Sequence, residues 1–156
     1  GSSTYTKEEL VYAISSNIFD WVQIASNVLD ISQIEVVKKG NQSVNIAARS
    51  IFLQGIILRQ EVINNDIPRA KEMSNLIDEV KKIASDFGLS LPQMATSFMV
   101  NYSDVDMALF GASTTSNIKT FCDNSKIVLP DEAVAAIQGV ARQSKCWTNP
   151  KKWKVF

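Results

Sequence analysis

The stretch FDWVQIASNVLDISQIEVVKKGNQSVNIAA, residues 19–48, decides the fold because it predicts a strand, a helix and a second strand in succession. Residues 19–24 are apolar and bounded by polar turns, which is typical of a buried strand. Ser32 and Glu35 have the spacing of a capping box, and Gly40 stands where a left-handed residue ends many helices. Residues 43–48 carry Val and Ile and predict the next strand.

The same alternation continues on both sides of this stretch. Thr6 and Glu9 form a capping box that predicts a helix to about Ser15. Further helices are predicted over residues 68–87, 90–102 and 130–142, and another begins at about residue 115. Gly88 is expected to end the first of these helices. A third strand is predicted at 106–110. Repeated strand and helix units predict parallel strands joined by right-handed crossovers.

Length and composition limit the architecture. The chain has 156 residues, whereas a complete (β/α)8 barrel typically needs about 250. A hydrophobic content of 46% with 21% charged residues excludes a disordered chain. We therefore expect a single domain over residues 1–156 that folds, at least with a partner.

Several classes of function are not expected. Sixteen basic and sixteen acidic residues cancel, which argues against a nucleic-acid partner. No signal peptide and no apolar stretch of ~20 residues is found, and Cys122 and Cys146 are expected to be reduced, so the sequence predicts a cytoplasmic protein with no membrane segment. The chain has no His, which removes the usual general base and the commonest zinc ligand, and no metal site is predicted.

Polar residues and glycines follow the predicted strands, and this is the edge where barrels and open α/β proteins bind ligands. The turn at residues 111–117 precedes a helix, so its free amides and hydroxyls predict an anion site. A polar helix cap without any ligand is the alternative for this turn.

Four segments in fixed order, GSSTYT at 1–6, VQIASNVLD at 22–30, RSIFLQG at 49–55 and LFGAS at 109–113, together resemble the aldo-keto reductase family. They resemble the ends of the fifth to eighth barrel strands. The resemblance implies an α/β fold, namely the C-terminal half of a (β/α)8 TIM barrel with about three parallel strands and five to six helices. The family's catalytic Asp, Tyr, Lys and His would precede residue 1, so no catalytic residue is assigned.

The resemblance also implies a site for NADP or NAD. By this resemblance Ser3, Thr4 and Gln23 would hydrogen-bond the nicotinamide carboxamide; alternatively, the first residues are an expression remnant and Gln23 only caps a strand. Ser50, Phe52 and Gly55 match a loop that faces the pyrophosphate.

Two segments depart from the family's pattern. Arg49 stands where many members have a Tyr that stacks on the nicotinamide; its guanidinium can stack on a ring or pair with phosphate. A loop whose Arg is only a surface charge is the alternative. Gly111, Ser113 and Asn117 lie in the region that binds the adenosine end, where Lys119 is the only basic residue nearby. The choice between NADP and NAD therefore stays open.

Two functions follow. The first is the C-terminal cofactor-binding half of an NAD(P)-dependent aldo-keto reductase, with a carbonyl or sugar substrate. Trp147 and Trp153 in the tail would stack on that substrate or pin the tail to the body. The second is a non-catalytic half-barrel that binds the missing N-terminal half or a second copy. We expect such a half to present lumen-facing Val, Ile, Phe and Leu side chains and two free sheet edges, and so to self-associate.

Overall fold

The computed structural model describes residues 1–40, 44–59, 67 and 69–143. Within them a sheet of four parallel strands has the order β1-β2-β3-β4. The strands are β1 (Ser2–Ser3), β2 (Trp21–Ala25), β3 (Asn45–Arg49) and β4 (Met107–Ala108). The helices are α1 (Lys7–Ser15), α2 (Ser32–Lys39), α3 (Ile56–Arg59), α4 (Ala70–Asp86), α5 (Leu91–Val100), α6 (Thr115–Asn124) and α7 (Asp131–Ala141), with a 3-10 turn at Leu53–Gly55.

This architecture confirms the predicted α/β half-barrel with parallel strands. The described residues contain one strand and one helix more than the sequence predicted. Strand β1 has only two residues and is defined by its pairing of Ser2 with Val22. Helix α3 has only four residues, which is too short for a hydrophobic period to show.

Two capping boxes form as predicted. Thr6 Oγ1 accepts from the Glu9 amide at 3.1 Å, and the Glu9 carboxylate accepts from the Thr6 amide at 3.1 Å. Ser90 and Gln93 do the same at the start of α5. Gly88 has φ of +69°, which confirms the left-handed residue expected after α4.

The capping box predicted at Ser32 is wrong, although the helix exists. Ile31 is the N-cap residue and has no side-chain hydrogen bond, while Asp30 Oδ1 accepts from the Ser32 amide at 2.9 Å. Glu35 instead accepts from Arg142 at 2.8 Å and ties α2 to α7. Gly40 has φ of −73°, so the left-handed C-cap predicted there is also wrong.

The hydrophobic core lies between one face of the sheet and the helices. Val22, Ile24 and Ile46 on that face are buried with the inner side of α4, which carries Met73 and Ile77. Helix α5 adds Met94, Phe98 and Met99 to the same cluster. The apolar side of α4 is thus part of the core.

The opposite face of the sheet carries a mixed row of side chains. Ser3, Gln23, Ala47 and Met107 are neighbours in the strand register and form one row across all four strands. Met107 is 47% exposed. The expected apolar lumen face is therefore wrong in its composition, because strand alternation turns Val22, Ile24 and Ile46 toward the helices.

The tail with Trp147 and Trp153 lies outside the described residues, as does Cys146. Cys122 is an exposed free thiol. In the described part of the chain, no helix is long and apolar enough to cross a membrane.

Candidate functional site

A groove of about 680 Å³ lies across the carboxyl ends of β2, β3 and β4. Eight of the predicted site residues line it: Gln23, Arg49, Ser50, Phe52, Gly55, Gly111, Ser113 and Asn117. Ser3 and Thr4 do not line the groove but lie next to residues that do. The structure thus brings together segments that are up to 94 residues apart in the sequence, from Gln23 to Asn117.

Gln23 is positioned by Ser3. The Ser3 hydroxyl donates to Gln23 Oε1 at 3.0 Å, from the neighbouring strand β1. Because this bond uses the carbonyl end of the side-chain amide, the NH2 end of Gln23 is the end available to a ligand. Gln23 lies within β2 rather than after it, on the face opposite the helices.

Thr4 is buried and acts through its backbone. Thr4 is only 2% exposed, and its hydroxyl has no hydrogen-bond partner in the described part of the chain. The Thr4 amide donates to the Gln23 carbonyl at 3.0 Å, and the Thr4 carbonyl accepts from Arg49 Nη2 at 3.0 Å. This placement does not give the Thr4 hydroxyl direct access to a ligand in the groove.

Arg49 connects the loops that follow three strands. Its guanidinium bonds to the Thr4 carbonyl and to Ser50 Oγ at 3.4 Å, and its Cζ lies 4.4 Å from the centre of the Tyr5 ring. Its backbone carbonyl accepts from the Ser26 amide at 3.0 Å. Burial lowers the pKa of the Arg49 guanidinium, and Tyr5 opposes this shift, but arginine stays protonated at ordinary pH. Arg49 is therefore not simply a surface charge.

The loop after β3 contains several residues in the left-handed region. Ser50, Leu53, Gln54 and Gly55 have φ of 61°, 47°, 53° and 88°. The three non-glycine residues are strained there, and such strain often clusters at ligand sites. A Cβ at Gly55 would meet only the Arg59 side chain at 3.6 Å, so the backbone conformation, and not lack of space, calls for glycine.

The turn after β4 leads into α6. Thr114 is the N-cap residue, and its hydroxyl accepts from the Asn117 amide at 3.2 Å. The Asn117 side chain donates to Ser113 Oγ at 3.4 Å. Gly111 is exposed with open space where a Cβ would be. The groove thus ends at a helix N-terminus with a polar cap.

Sequence reasoning missed an aromatic cluster at the groove. Phe110 and Phe121 stack with their ring centres 3.6 Å apart, and Phe52 meets both edge-on at 6.5 and 6.2 Å. Phe52 and Phe110 line the groove. The sequence did offer a signal for two of these rings, because Phe52 comes soon after the predicted strand at 43–48 and Phe110 ends the predicted strand at 106–110. Only the tertiary fold shows that Phe121 packs with them.

The described lining of the groove is mostly uncharged. Arg49 is the only charged residue in the lining that the structure describes. No group of three His, Cys, Asp or Glu residues in the described part of the chain could hold a metal ion. The site therefore has hydrogen-bond donors, an aromatic wall and one positive charge, which suits an anionic organic ligand.

The parallel sheet, with helices on one face and a groove across its carboxyl ends, defines part of a (β/α) barrel. The Aldo/keto reductase family profile matches residues 3–142, so this chain belongs to the aldo/keto reductase family. Members of this family generally bind nicotinamide cofactors and act on carbonyl substrates.

Solved structures agree with this fold. The holo form of aldo-keto reductase AKR11C1 from Bacillus halodurans is similar to 90% of this chain at 19% identity and a TM-score of 0.67. Its apo form is similar over 89% of this chain at 14% identity and a TM-score of 0.69. The chain spans about half the length of these structures, 48% and 49%. No curated protein sequence matches significantly.

Proposed function

We propose that this chain is the C-terminal, cofactor-binding half of an NAD(P)-dependent aldo-keto reductase, and that its groove holds the nicotinamide cofactor. The observation that carries this proposal is the convergence of Gln23, Arg49, Ser50 and the turn at residues 111–117 on one groove at the carboxyl ends of parallel strands. Membership of the aldo/keto reductase family supports it.

The nicotinamide end is assigned to Gln23. The free NH2 of Gln23, oriented by Ser3, is a suitable donor to the carboxamide oxygen. Thr4 contributes through its backbone, which holds Gln23 in register.

The phosphate and adenosine end is assigned to the loops that follow β3 and β4. Ser50, Gly55 and Ser113 line the groove, and the first turn of α6 offers its amides to an anion, whereas the Gly55 amide donates to the Phe52 carbonyl at 2.9 Å. Lys119 lies near this end, but it pairs with Asp123 at 2.8 Å. Arg59 is another cation near these loops, with its guanidinium 3.6 Å from the place of a Cβ on Gly55, and these residues do not decide between NADP and NAD.

Carbonyl reduction itself is assigned to a complete barrel. The bound cofactor supplies a hydride, and the carbonyl oxygen needs a proton donor, which contributes roughly 10²–10⁴-fold. The chain has no His, and none of the groove residues that the structure describes is suited to this role. We expect the isolated chain to show no carbonyl reductase activity; oxidation of NADPH by aldehydes at the rate of a complete enzyme would contradict this.

The cofactor site is tested by titrating the full chain with NADH and NADPH while following fluorescence. Saturable binding is expected, and Gly111→Asp should weaken it at least about tenfold, because a carboxylate in the groove repels an anionic ligand. Space around Gly111 allows this substitution without a clash. Asn75→Asp on the exposed side of α4 is the charge-matched control and should bind normally. A folded chain that binds neither cofactor up to millimolar concentration would refute the proposal.

A second candidate function is a half-barrel that binds another chain. The observation that favours it is the open face of the sheet, where Trp21, Gln23, Ala47 and Met107 line a shallow cavity of about 370 Å³. In this candidate the occupant is the N-terminal half of a barrel or a second copy.

A further inference from the structure

Arg49 places one fixed positive charge at the groove. Hydrogen bonds to the Thr4 carbonyl and Ser50 Oγ hold the guanidinium, and the Tyr5 ring covers it at 4.4 Å. The side chain is partly buried, so it cannot swing freely into solvent. The charge persists across the accessible pH range because the guanidinium does not deprotonate.

No acidic side chain balances this charge in the described lining of the groove. The other polar lining residues are neutral: Gln23, Ser50, Gln54, Ser113 and Asn117. A ligand group beside Arg49 therefore experiences an unbalanced positive charge, partly shielded from water, where electrostatic effects are stronger than in bulk solvent.

Gln23 and Arg49 lie close together on the same face of neighbouring strands. Ala25 pairs with Arg49 in the strand register, and Gln23 is two residues earlier on β2, so both side chains point to the same side. A ring whose carboxamide is bound by Gln23 is therefore placed next to the guanidinium.

We infer that Arg49 is a specificity-determining residue that makes the groove favour the reduced cofactor over the oxidised one. This inference rests on the proposed cofactor site. The two redox forms share the adenosine and pyrophosphate and differ in the ring, which is neutral when reduced and positively charged when oxidised. A nearby cation disfavours only the oxidised ring.

This preference has a consequence for cofactor exchange. The groove takes up the reduced form and releases the oxidised form more readily. Arg49 does not assist the hydride transfer itself, because that step creates the positive ring that the guanidinium disfavours.

The test compares dissociation constants of NADH and NAD⁺ for the full chain at low salt. Two unit charges a few ångströms apart in a partly solvated site predict that the ratio of the NAD⁺ to the NADH dissociation constant is at least about fivefold larger in the wild type than in the uncharged variant. Arg49→Gln should lose this factor, because its amide keeps a donor but no charge. Arg49→Lys is the matched control and should keep most of it.

Three outcomes decide the matter. A ratio that falls in Arg49→Gln and is kept in Arg49→Lys supports the inference. A ratio unchanged by Arg49→Gln, or equal weakening of both forms as expected for a contact to the shared pyrophosphate, overturns it while leaving the proposed function intact. Absence of binding by the folded wild-type chain refutes the proposed function instead.

If Arg49→Gln does not fold, salt provides the second measurement. Raising the ionic strength from 0.01 to 1 M shortens the screening length from about 30 to about 3 Å. The wild-type preference for NADH should then shrink in part, because partly buried charges are screened less than exposed ones. A wild-type chain that shows no preference for NADH over NAD⁺ at 0.01 M, where screening is weakest, would overturn the inference.

Discussion

The Ser3 and Gln23 pair shows how one hydroxyl can prepare a binding group. Ser3 holds the carbonyl end of the Gln23 amide at 3.0 Å, and a net hydrogen bond of this kind contributes about 0.5–1.5 kcal/mol. Without it, the Gln23 amide can rotate, and the NH2 group loses its fixed direction toward the groove.

Ser3→Ala should therefore weaken NADH binding by about three- to tenfold with little change in melting temperature. Calorimetric titration and thermal unfolding measure the two quantities. Ser15→Ala is the control. It also removes a hydrogen bond, from the Ser15 hydroxyl to the Tyr12 carbonyl on α1, but Ser15 lies outside the groove lining. Equal affinity of Ser3→Ala and wild type would show that Gln23 needs no such orientation.

Gly88 allows a test of the free energy of unfolding. Gly88→Ala should lower the free energy of unfolding by about 1 kcal/mol, because φ of +69° is strained for any residue with a Cβ. Gly139→Ala, in the exposed interior of α7, should instead raise it by about 0.5–1 kcal/mol. Urea unfolding of both variants checks the opposite signs, and a stabilised Gly88→Ala would contradict the assigned turn.

Local sequence signals located most of the groove residues but not their environments. Gln23, Arg49 and Ser50 could be selected because polar residues near the ends of buried strands indicate a ligand edge. The burial of the Thr4 hydroxyl could not be predicted in this way, because Thr4 is packed beside a distant residue. Arg49, which donates to the Thr4 carbonyl, is 45 residues away in the chain. The stacking of Phe110 on Phe121 likewise depends on the placement of α6.

Helix α6 is the most weakly packed long element near the site. Of its residues only Asn124 is buried, and Phe121 is partly buried through its stacking on Phe110. Helix α5, by contrast, buries most of its length, including Met94, Phe98 and Met99. Packing of an apolar face, more than helix propensity, stabilises helices in proteins.

We expect the amides of α6 to exchange with solvent faster than those of α5, and Phe121→Ala to accelerate them further. Hydrogen exchange followed by mass spectrometry measures this. Ile118→Ala removes a side chain that is already 49% exposed, and it serves as the control with little expected change. Equal protection of α5 and α6 would mean that α6 packs better than its burial indicates.

The helix starts that could be predicted were those fixed by residues nearby in the sequence. The starts of α1 and α5 follow from reciprocal capping bonds within four residues. The start of α2 was assigned to the wrong cap because Asp30, ahead of the helix, takes the Ser32 amide while Glu35 pairs with the distant Arg142. Strand β1 depends entirely on its neighbour β2 and has no local signal of its own.

In the part of the chain that the structure describes, the four-stranded parallel sheet is covered by helices on one face only. Among the described residues, the outer edges of β1 and β4 have no neighbouring strand. Unpaired strand edges favour pairing with another chain. The mixed row of Ser3, Gln23, Ala47 and Met107 makes the open face less apolar than the sequence suggested, so edge pairing contributes a larger share of any association.

We expect the isolated chain to self-associate at micromolar concentration, or to bind a polypeptide that supplies the other half of the barrel. Sedimentation equilibrium detects self-association. A strictly monomeric species that unfolds cooperatively, with rapidly exchanging amides at both sheet edges, would show that the open edges do not drive assembly.

The central claim is that the groove at the carboxyl ends of the strands binds the nicotinamide cofactor. Amide chemical shifts of the ¹⁵N-labelled chain, recorded while NADH is added, test it most directly because they report the location as well as the affinity. Binding in the groove should give saturable shifts at the Gln23 side-chain amide, at residues 50–55 and at residues 111–117. Shifts confined to the opposite end of the sheet, around Lys38, Asp104 and Asp106, or no saturable shifts in a folded chain, would contradict it.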